Sequence, residues 1–249
     1  MIDSHCHLDA CEQPTAELVE RARQAGLTRL ATVGCDAASI ERALAAAHAH
    51  DEVFAVVGRH PHECAGFDET SLAEIELAAS DPCVRAIGET GLDYHRDYAP
   101  RDDQQRAFCA QIELARRLGL PLVVHTRAAE ADTFALLRER AQGITVVLHC
   151  FSAPQRVEEC VERRYVCSFA GNLTYPSAKD LQSAARALPE ELLLVETDSP
   201  YLSPEPLRGR PNEPANVIYT ARYLARLRGV DDGELERALE RNAGQVFCW

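Results

Sequence analysis

Two histidines near the start of the chain have the spacing that lets two side chains bind one metal ion. His5 and His7 flank Cys6 in a predicted strand, where side chains two residues apart share one face. His48 and His50 have the same spacing in a predicted helix, where they diverge by about 200° and cannot share an ion. An isolated pair such as His5 and His7 also fits two structural histidines, so its interpretation depends on the other strands.

Four further polar residues follow apolar runs, each at the point where its run ends. They are Glu89, His125, His149 and Asp198. In a parallel barrel these positions lie at the carboxyl ends of the strands, where active sites assemble. Each residue alone has a structural explanation: a carboxylate that accepts from loop amides, a hydrogen-bonded core histidine, or an aspartate that caps a turn. Together with the histidine pair they place four histidines and two carboxylates at one end of five strands, which predicts a metal site.

Imidazole and carboxylate ligands together are typical of centres that hydrolyse a substrate with metal-activated water. They suit borderline ions such as Zn, Mn, Ni or Fe, and with water ligands they could also hold Mg. A carboxylate between two ions about 4 Å apart can bridge them, and Glu89 is our candidate for that bridge. Asp198 can bind one ion and accept a proton from the attacking water. We therefore expect two divalent ions per chain, with Mg, Mn and Zn as the candidates.

Alternating strands and helices along the whole chain must position these residues. Short apolar, β-branched runs predict eight strands, at 1–8, 27–34, 53–60, 84–90, 121–126, 144–151, 165–171 and 192–198. Amphipathic segments predict nine helices, at 15–25, 38–50, 70–80, 102–118, 131–142, 154–163, 177–187, 214–228 and 232–246. Several strand runs are continuously apolar, as in parallel strands buried on both faces. We expect a TIM-like (β/α)8 barrel, with a doubly wound open sheet as the competing architecture.

The composition is that of a globular chain with a sizeable core. It has 249 residues, of which 46% are hydrophobic and 26% charged. A barrel of about 250 residues commonly forms one domain, so we expect a single domain over 1–249. No apolar run is long enough to span a membrane, and the N-terminus lacks the apolar stretch of a signal peptide, so the expected location is the cytoplasm. Ten cysteines without a CxxC pair are expected to be reduced.

The charge pattern excludes several classes of function. With 26 basic and 39 acidic residues the net charge is -13, so the chain lacks the basic footprint of an avid DNA-binding module. Any contact with nucleic acid must be local or carried by bound cations. Lys179 is the only lysine and lies in a predicted helix, which leaves no plausible lysine for Schiff-base chemistry or for a carboxylated-lysine metal bridge.

The segments around these residues, taken together, resemble the TatD family of metal-dependent hydrolases, within the wider amidohydrolase-like barrels. The resemblance runs end to end and rests on the ordered segments MIDSHCHLD, GRHPHE, GETGLDYH, PLVVHTR, HCFS and ETDSPYL. It implies a single TIM-like barrel, two divalent ions and deoxyribonuclease activity. Carried over motif by motif, the implied metal ligands are His5, His7, Glu89, His125, His149 and Asp198. Glu89 stands where many amidohydrolases place a carboxylated lysine, which agrees with the lysine count.

Other polar residues near the predicted mouth of the barrel are candidates for substrate contacts. His60, which follows the third strand, is expected to contact a phosphate or to assist as an acid, whereas neighbouring His62 is expected to be structural. The remaining candidates are Arg127, Tyr201, Arg208, Arg210 and Asn212. Arginine offers bidentate phosphate geometry and tyrosine offers a stacking face. Loop packing is the alternative explanation for each of them.

The sequence thus favours a metal-dependent deoxyribonuclease, and the resemblance implies trimming of single-stranded DNA from its 3′ end. We expect Asp198, Glu89 and His60 to be catalytic, single-stranded DNA to be the partner as substrate, no membrane contact, and a monomer. An alternative keeps the site but hydrolyses an ester or amide, such as D-aminoacyl-tRNA or a small cyclic amide, because the same water can attack carbonyl carbon or phosphorus. A third hypothesis, a non-catalytic partner-binding barrel, would leave the ligand set without a purpose.

Overall fold

Eight parallel strands form the centre of the molecule in the computed structural model, which describes residues 1–249. The strands are β1 (Ile2–Cys6), β2 (Arg29–Gly34), β3 (Val53–Val57), β4 (Val84–Asp93), β5 (Leu122–Arg127), β6 (Val146–Leu148), β7 (Val166–Phe169) and β8 (Leu193–Val195). Each strand pairs in parallel with the next one along the chain. The residues of β1, β3 and β8 are almost all buried, which agrees with a sheet covered on both faces.

Backbone hydrogen bonds between the first and last strand regions close the sheet into a barrel. The Asp198 N–H donates to the carbonyl of His5 at 2.9 Å, and the His7 N–H donates to the carbonyl of Ser199 at 2.8 Å. Strand order that follows the sequence and closes on itself confirms the predicted TIM-like (β/α)8 barrel. It excludes the doubly wound open sheet, whose strand order reverses at a switch point.

Nine helices surround the barrel, close to the predicted segments. They are α1 (Thr15–Gln24), α2 (Ala37–Ala49), α3 (Glu69–Ala78), α4 (Arg101–Leu118), α5 (Glu130–Arg140), α6 (Val157–Arg163), α7 (Lys179–Ala187), α8 (Val217–Arg228) and α9 (Asp232–Phe247). In α4, Phe108, Ile112 and Ala115 recur at helical spacing and are fully buried against the sheet. Burying a side chain of the size of Phe108 stabilises the fold by about 1.5–3 kcal/mol. None of the helices is both long and apolar enough to cross a membrane.

The strand ends differ from the prediction in ways that matter for the site. β4 continues to Asp93 because residues 91–93 pair with residues 125–127 of β5. β6 ends at Leu148 and β8 at Val195, so His149 and Asp198 lie in the segments that directly follow those strands. The His149 N–H still donates to the carbonyl of Val124 at 3.1 Å. The backbone of His149 is therefore still bonded to β5 at the point where its side chain enters the mouth.

Candidate active site

Four of the six predicted ligands form a first group of donor atoms at the mouth. His5 Nε2 lies 3.3 Å from His7 Nε2 and 3.4 Å from Glu89 Oε2. His7 Nε2 lies 3.7 Å from the same Glu89 oxygen and 3.5 Å from Asp198 Oδ1. Two donors bonded to one ion at about 2.1 Å are about 3.0 Å apart at a right angle and about 3.6 Å apart at 120°. The spacing of this group therefore fits the ligands of one divalent ion.

A second group surrounds the other oxygen of the same carboxylate. Glu89 Oε1 lies 2.8 Å from His125 Nδ1 and 2.9 Å from His149 Nε2. His60 Nε2 is 3.4 Å from this oxygen. One carboxylate thus points each of its oxygens at a different set of imidazoles, and Glu89 is only 3% exposed. This arrangement fits a carboxylate shared by two cations, and nitrogen and oxygen donors of this kind suit borderline divalent ions.

A glycine on β4 permits the close approach of the two strands that carry Glu89 and His125. Gly91 has φ of +140°, a conformation that side chains disfavour. A Cβ added at Gly91 would lie 2.0 Å from the carbonyl oxygen of His125. Any larger residue would push β4 away from β5 next to the site. Gly91 therefore sets the spacing between a strand that supplies the shared carboxylate and a strand that supplies one of its imidazole partners.

Two buried carboxylates stand behind the histidines of the second group. Glu196 Oε1 lies 3.0 Å from His149 Nδ1 and also accepts the Cys150 N–H at 2.8 Å. Asp93 Oδ2 lies 3.2 Å from His125 Nε2. A carboxylate on one ring nitrogen fixes the proton there and leaves the other nitrogen free to bind a cation. His149 consequently presents Nε2 to Glu89, whereas His125 presents Nδ1.

Mutual charge effects keep the carboxylates of the site ionised. Burial alone would raise the pKa of Glu89, but the positive charge that His149 can carry and the hydrogen bonds with His125 and His149 lower it well below its usual range. Burial would also raise the pKa of Asp198, and the hydrogen bond with His7 together with the charge on His149 lowers it. Burial would lower the pKa of His149, yet Glu89 and Glu196 raise it well above its usual range. The pocket is thus built to hold positive charge against anionic oxygens.

The ring of His60 lies close to the second donor group. Its ring centroid is 4.7 Å from that of His125. Burial lowers the pKa of His60 to about 4, so the ring is neutral at pH 7. His60 Nδ1 accepts the backbone N–H of His62 at 3.1 Å, which places the ring hydrogen on Nε2. His60 therefore offers an N–H donor that faces the shared carboxylate.

Two of the predicted substrate contacts are exposed at the mouth. The Tyr201 side chain is 58% exposed, and its ring centroid lies 6.3 Å from that of His7. Arg127 is exposed at the end of β5, on the same strand face as His125 two residues earlier. A tyrosine face and a guanidinium are therefore available beside the donor groups.

The other three predicted contacts are placed differently. The guanidinium of Arg208 stacks on the ring of Tyr175 at 4.3 Å, and Arg210 is exposed on the same loop. Asn212 is only 1% exposed, and its amide donates to the carbonyls of Thr197 at 3.0 Å and Tyr201 at 2.7 Å. These bonds occupy the amide and leave it no access to a ligand. The structure therefore corrects the prediction that Asn212 contacts the substrate. The residue instead braces the loop that carries Tyr201.

Three residues near the centre were not predicted to take part. Asp93 lies four residues after Glu89 on one strand, so period-two alternation could have placed both on the same face. Glu196 is separated from Asp198 by one residue in a motif that drew attention only to Asp198. Cys35 directly follows β2, and its Sγ lies 3.8 Å from Glu89 Oε2. The signal for Cys35 was its position at a strand end, the same signal that identified the histidines.

The chain is similar to known metal-dependent hydrolases. A model of the family described as TatD related DNase matches residues 2–248. The chain is 36% identical over 251 residues to the metal-dependent hydrolase YabD of Bacillus subtilis, with 99% of this chain and 98% of the relative covered. It is 35% identical over 241 residues to the 3′-5′ ssDNA/RNA exonuclease TatD of Edwardsiella piscicida, with 93% and 92% covered. The crystal structure of YjjV, a TatD homologue from Escherichia coli, superposes with a TM-score of 0.93 at 30% identity, covering 100% of this chain and 98% of the other.

Proposed function

The chain belongs to the TatD-related DNase family, and on this premise we propose that it is a metal-dependent exonuclease that trims single-stranded DNA from the 3′ end. The observation that carries the proposal is the position of Glu89 between two groups of donors. Its two oxygens face His5 and His7 on one side and His125 and His149 on the other. This supports two divalent ions, with Mg, Mn and Zn as candidates, held by these residues and Asp198.

Bound divalent ions would attract the oxygens of a phosphodiester and lower the pKa of a water molecule at the mouth. The chain's own residues supply the remaining steps. The Asp198 carboxylate accepts the proton of the attacking water, because its contact with His7 lowers its pKa and keeps it ionised despite its burial. His60 donates its Nε2–H to a phosphate oxygen, since Nδ1 is occupied by the His62 amide. Glu196 and Asp93 keep the rings of His149 and His125 in the orientation the site needs.

The exposed residues at the mouth support a single-stranded substrate. Tyr201 offers an aromatic face on which an unpaired base can stack, and Arg127 offers a guanidinium to a phosphate. The net charge of -13 disfavours broad binding of duplex DNA. Two divalent ions would take that charge to about -9 and concentrate positive potential where a phosphate must lie. A short-range encounter at the mouth is therefore favoured over extended binding.

A substrate panel tests the reaction class. Equal amounts of metal-loaded protein are given a single-stranded DNA oligonucleotide, an RNA of the same sequence, a D-aminoacyl-tRNA and a small cyclic amide. We expect hydrolysis of the DNA to be fastest and to stop when a chelator is added. Hydrolysis of the aminoacyl ester or the cyclic amide without shortening of either oligonucleotide would overturn the nuclease proposal and assign a carbonyl substrate to the same site.

A further inference from the structure

A cysteine thiol lies against the first donor group. Cys35 Sγ is 3.8 Å from Glu89 Oε2, the oxygen that also faces His5 Nε2 at 3.4 Å and His7 Nε2 at 3.7 Å. Cys35 comes directly after β2, so it enters the mouth from a strand that supplies none of the six predicted ligands. The thiol is thus a fifth side chain with a potential ligand atom at the first donor group, beside His5, His7, Glu89 and Asp198.

The backbone around Cys35 fixes the position of this thiol. The Cys35 N–H donates to Ser39 Oγ at 2.8 Å, in the capping turn that begins α2. The Cys35 carbonyl accepts the N–H of His60 at 3.1 Å. Both bonds tie the residue to elements that themselves border the site. The side chain is half-buried and is held at the mouth by these bonds, so its approach to Glu89 is a built feature of the loop.

We propose that Cys35 is an additional ligand of the cation held by His5 and His7, and that it makes this position select zinc over magnesium. The inference rests on the metal centre of the proposed function and adds a determinant of metal identity. A sulfur at about 2.3 Å and an oxygen at about 2.1 Å from one zinc ion are about 3.6 Å apart at the tetrahedral angle and about 3.8 Å apart at 120°. The observed 3.8 Å between Cys35 Sγ and Glu89 Oε2 falls in this range.

The selectivity follows from the softness of the donor. Thiolate favours zinc and other soft or borderline ions, whereas magnesium takes hard oxygen ligands. On binding, the S–H bond of Cys35 breaks, the proton passes to solvent, and a sulfur–metal bond forms. The other donors of the group, two imidazoles and two carboxylates, would leave zinc, manganese and magnesium closer in affinity. Removing the sulfur should therefore weaken zinc binding far more than magnesium binding.

A second thiol-containing cluster in the molecule provides the matched control. Cys83 lies with His48 and Asp81 on the outside of the barrel, where His48 Nε2 is 2.8 Å from Asp81 Oδ2. His48 is exposed, in contrast to the buried His5. A cation at this outer cluster would also contact sulfur, so a spectroscopic signal from thiolate must be assigned to one of the two cysteines by substitution.

The test uses cobalt as a spectroscopic substitute for zinc. Metal-stripped full-length protein is titrated with Co²⁺, and the near-ultraviolet charge-transfer band of a cobalt–thiolate bond is followed in wild type, Cys35→Ser and Cys83→Ser. We expect the band in wild type and Cys83→Ser and its loss in Cys35→Ser. Competition with a chelator should show that zinc affinity is at least about tenfold lower in Cys35→Ser than in wild type. Even the loss of a residue that only hydrogen-bonds to a metal ligand typically lowers metal affinity by about tenfold or more. Magnesium binding should be unchanged in that variant.

The other outcomes separate this inference from the proposed function. Cobalt binding with ligand-field bands but no thiolate band in wild type would overturn the role of Cys35 and leave the histidine and carboxylate centre intact. A band that persists in Cys35→Ser and disappears in Cys83→Ser would assign the sulfur ligand to the outer cluster and overturn the inference. Failure of wild type to bind cobalt at all would overturn the metal centre itself, and with it both proposals.

Discussion

His149 and Glu196 form a buried pair in which Nδ1 of the ring lies 3.0 Å from Oε1 of the carboxylate. The opposite ring nitrogen of His149 lies 2.9 Å from Glu89 Oε1. Glu196 also accepts the N–H of Cys150, so the carboxylate is anchored to the same loop that carries the ring. The proton on Nδ1 therefore points away from the centre, and Nε2 is held ready as a ligand.

We expect the carboxylate of this pair to strengthen metal binding through His149. Glu196→Gln keeps the shape and one acceptor oxygen but removes the negative charge behind the ring. We expect metal affinity to fall by about 10- to 100-fold, because the ring loses basicity and its fixed tautomer. Isothermal titration with Zn²⁺ measures the effect, with exposed Glu191→Gln as the control. Equal affinities in the two variants would show that Glu196 does not act through His149.

Asp198→Asn tests the proton acceptor. An amide cannot take the proton of the attacking water, so we expect kcat for shortening of single-stranded DNA to fall by about 100- to 10,000-fold. The control is Asp97→Asn, an exposed carboxylate paired with Arg101 on the loop after β4. Gel assays with end-labelled oligonucleotides give the rates. Wild-type turnover in Asp198→Asn, with metal content unchanged, would remove Asp198 from the mechanism.

Tyr201 is expected to act through its exposed ring. Tyr201→Ala should raise KM for single-stranded DNA with little change in kcat, because a base–aromatic stack contributes about 1–3 kcal/mol. That range corresponds to an increase of roughly 5- to 150-fold. Tyr201→Phe keeps the ring and should behave as wild type. If Tyr201→Phe were as impaired as Tyr201→Ala, the hydroxyl and not the stacking face would be the functional group.

The helix cap formed by Asp68 should make the stability of the fold depend on pH. Asp68 caps α3 by accepting the Ser71 N–H at 2.9 Å, and this bond lowers the pKa of Asp68 below its ordinary value of 3.8. Since the folded state has the lower pKa, the capping contribution is fully present above pH 3.8 and is lost as the pH falls through the folded-state value. Asp68→Ala should therefore lower the unfolding temperature at pH 7, and its difference from wild type should shrink in acid.

Asp68→Asn is the matched control for this effect. Asparagine also caps helices but carries no titratable proton. The difference in unfolding temperature between Asp68→Asn and Asp68→Ala should persist in acid. The difference between wild type and Asp68→Ala should shrink there. Thermal unfolding followed by circular dichroism between pH 7 and pH 3 provides the comparison. A difference between wild type and Asp68→Ala that stays constant over this range would contradict the assigned role of the carboxylate.

The barrel could be predicted from sequence because its strands are buried on both faces. Continuous apolar runs such as Leu122 to Val124, each followed by an amphipathic helix, leave few alternatives once eight of them are found. The helix α4 was likewise marked by its apolar spacing and by Gly119, which ends it in a left-handed conformation at φ of +65°. These signals lie in neighbouring residues of the chain, so a single sequence is enough to detect them.

The convergence of the site could be predicted only in part. Strand ends placed His125 and Glu89 at one mouth, because parallel strands in a barrel all end there. The partners behind the ligands depend on side-chain distances across strands, which no local pattern reveals. Asp93 was missed because β4 runs beyond the apolar stretch that defined its predicted end. Asn212 was misassigned because an asparagine in a polar loop gives no sign that its amide is buried and bonded.

A metal add-back assay on 3′- and 5′-labelled single-stranded DNA tests the proposed metal-dependent exonuclease most directly. Chelator-stripped protein is supplied separately with Mg²⁺, Mn²⁺ or Zn²⁺, with Asp198→Asn in parallel. We expect no cleavage without metal and restored cleavage with at least one ion. The 3′ label should be lost immediately, the 5′-labelled strand should shorten progressively, and the rate should be strongly reduced in Asp198→Asn. Metal-independent cleavage, or no cleavage by protein that demonstrably holds its ions, would contradict the proposed metal-dependent exonuclease.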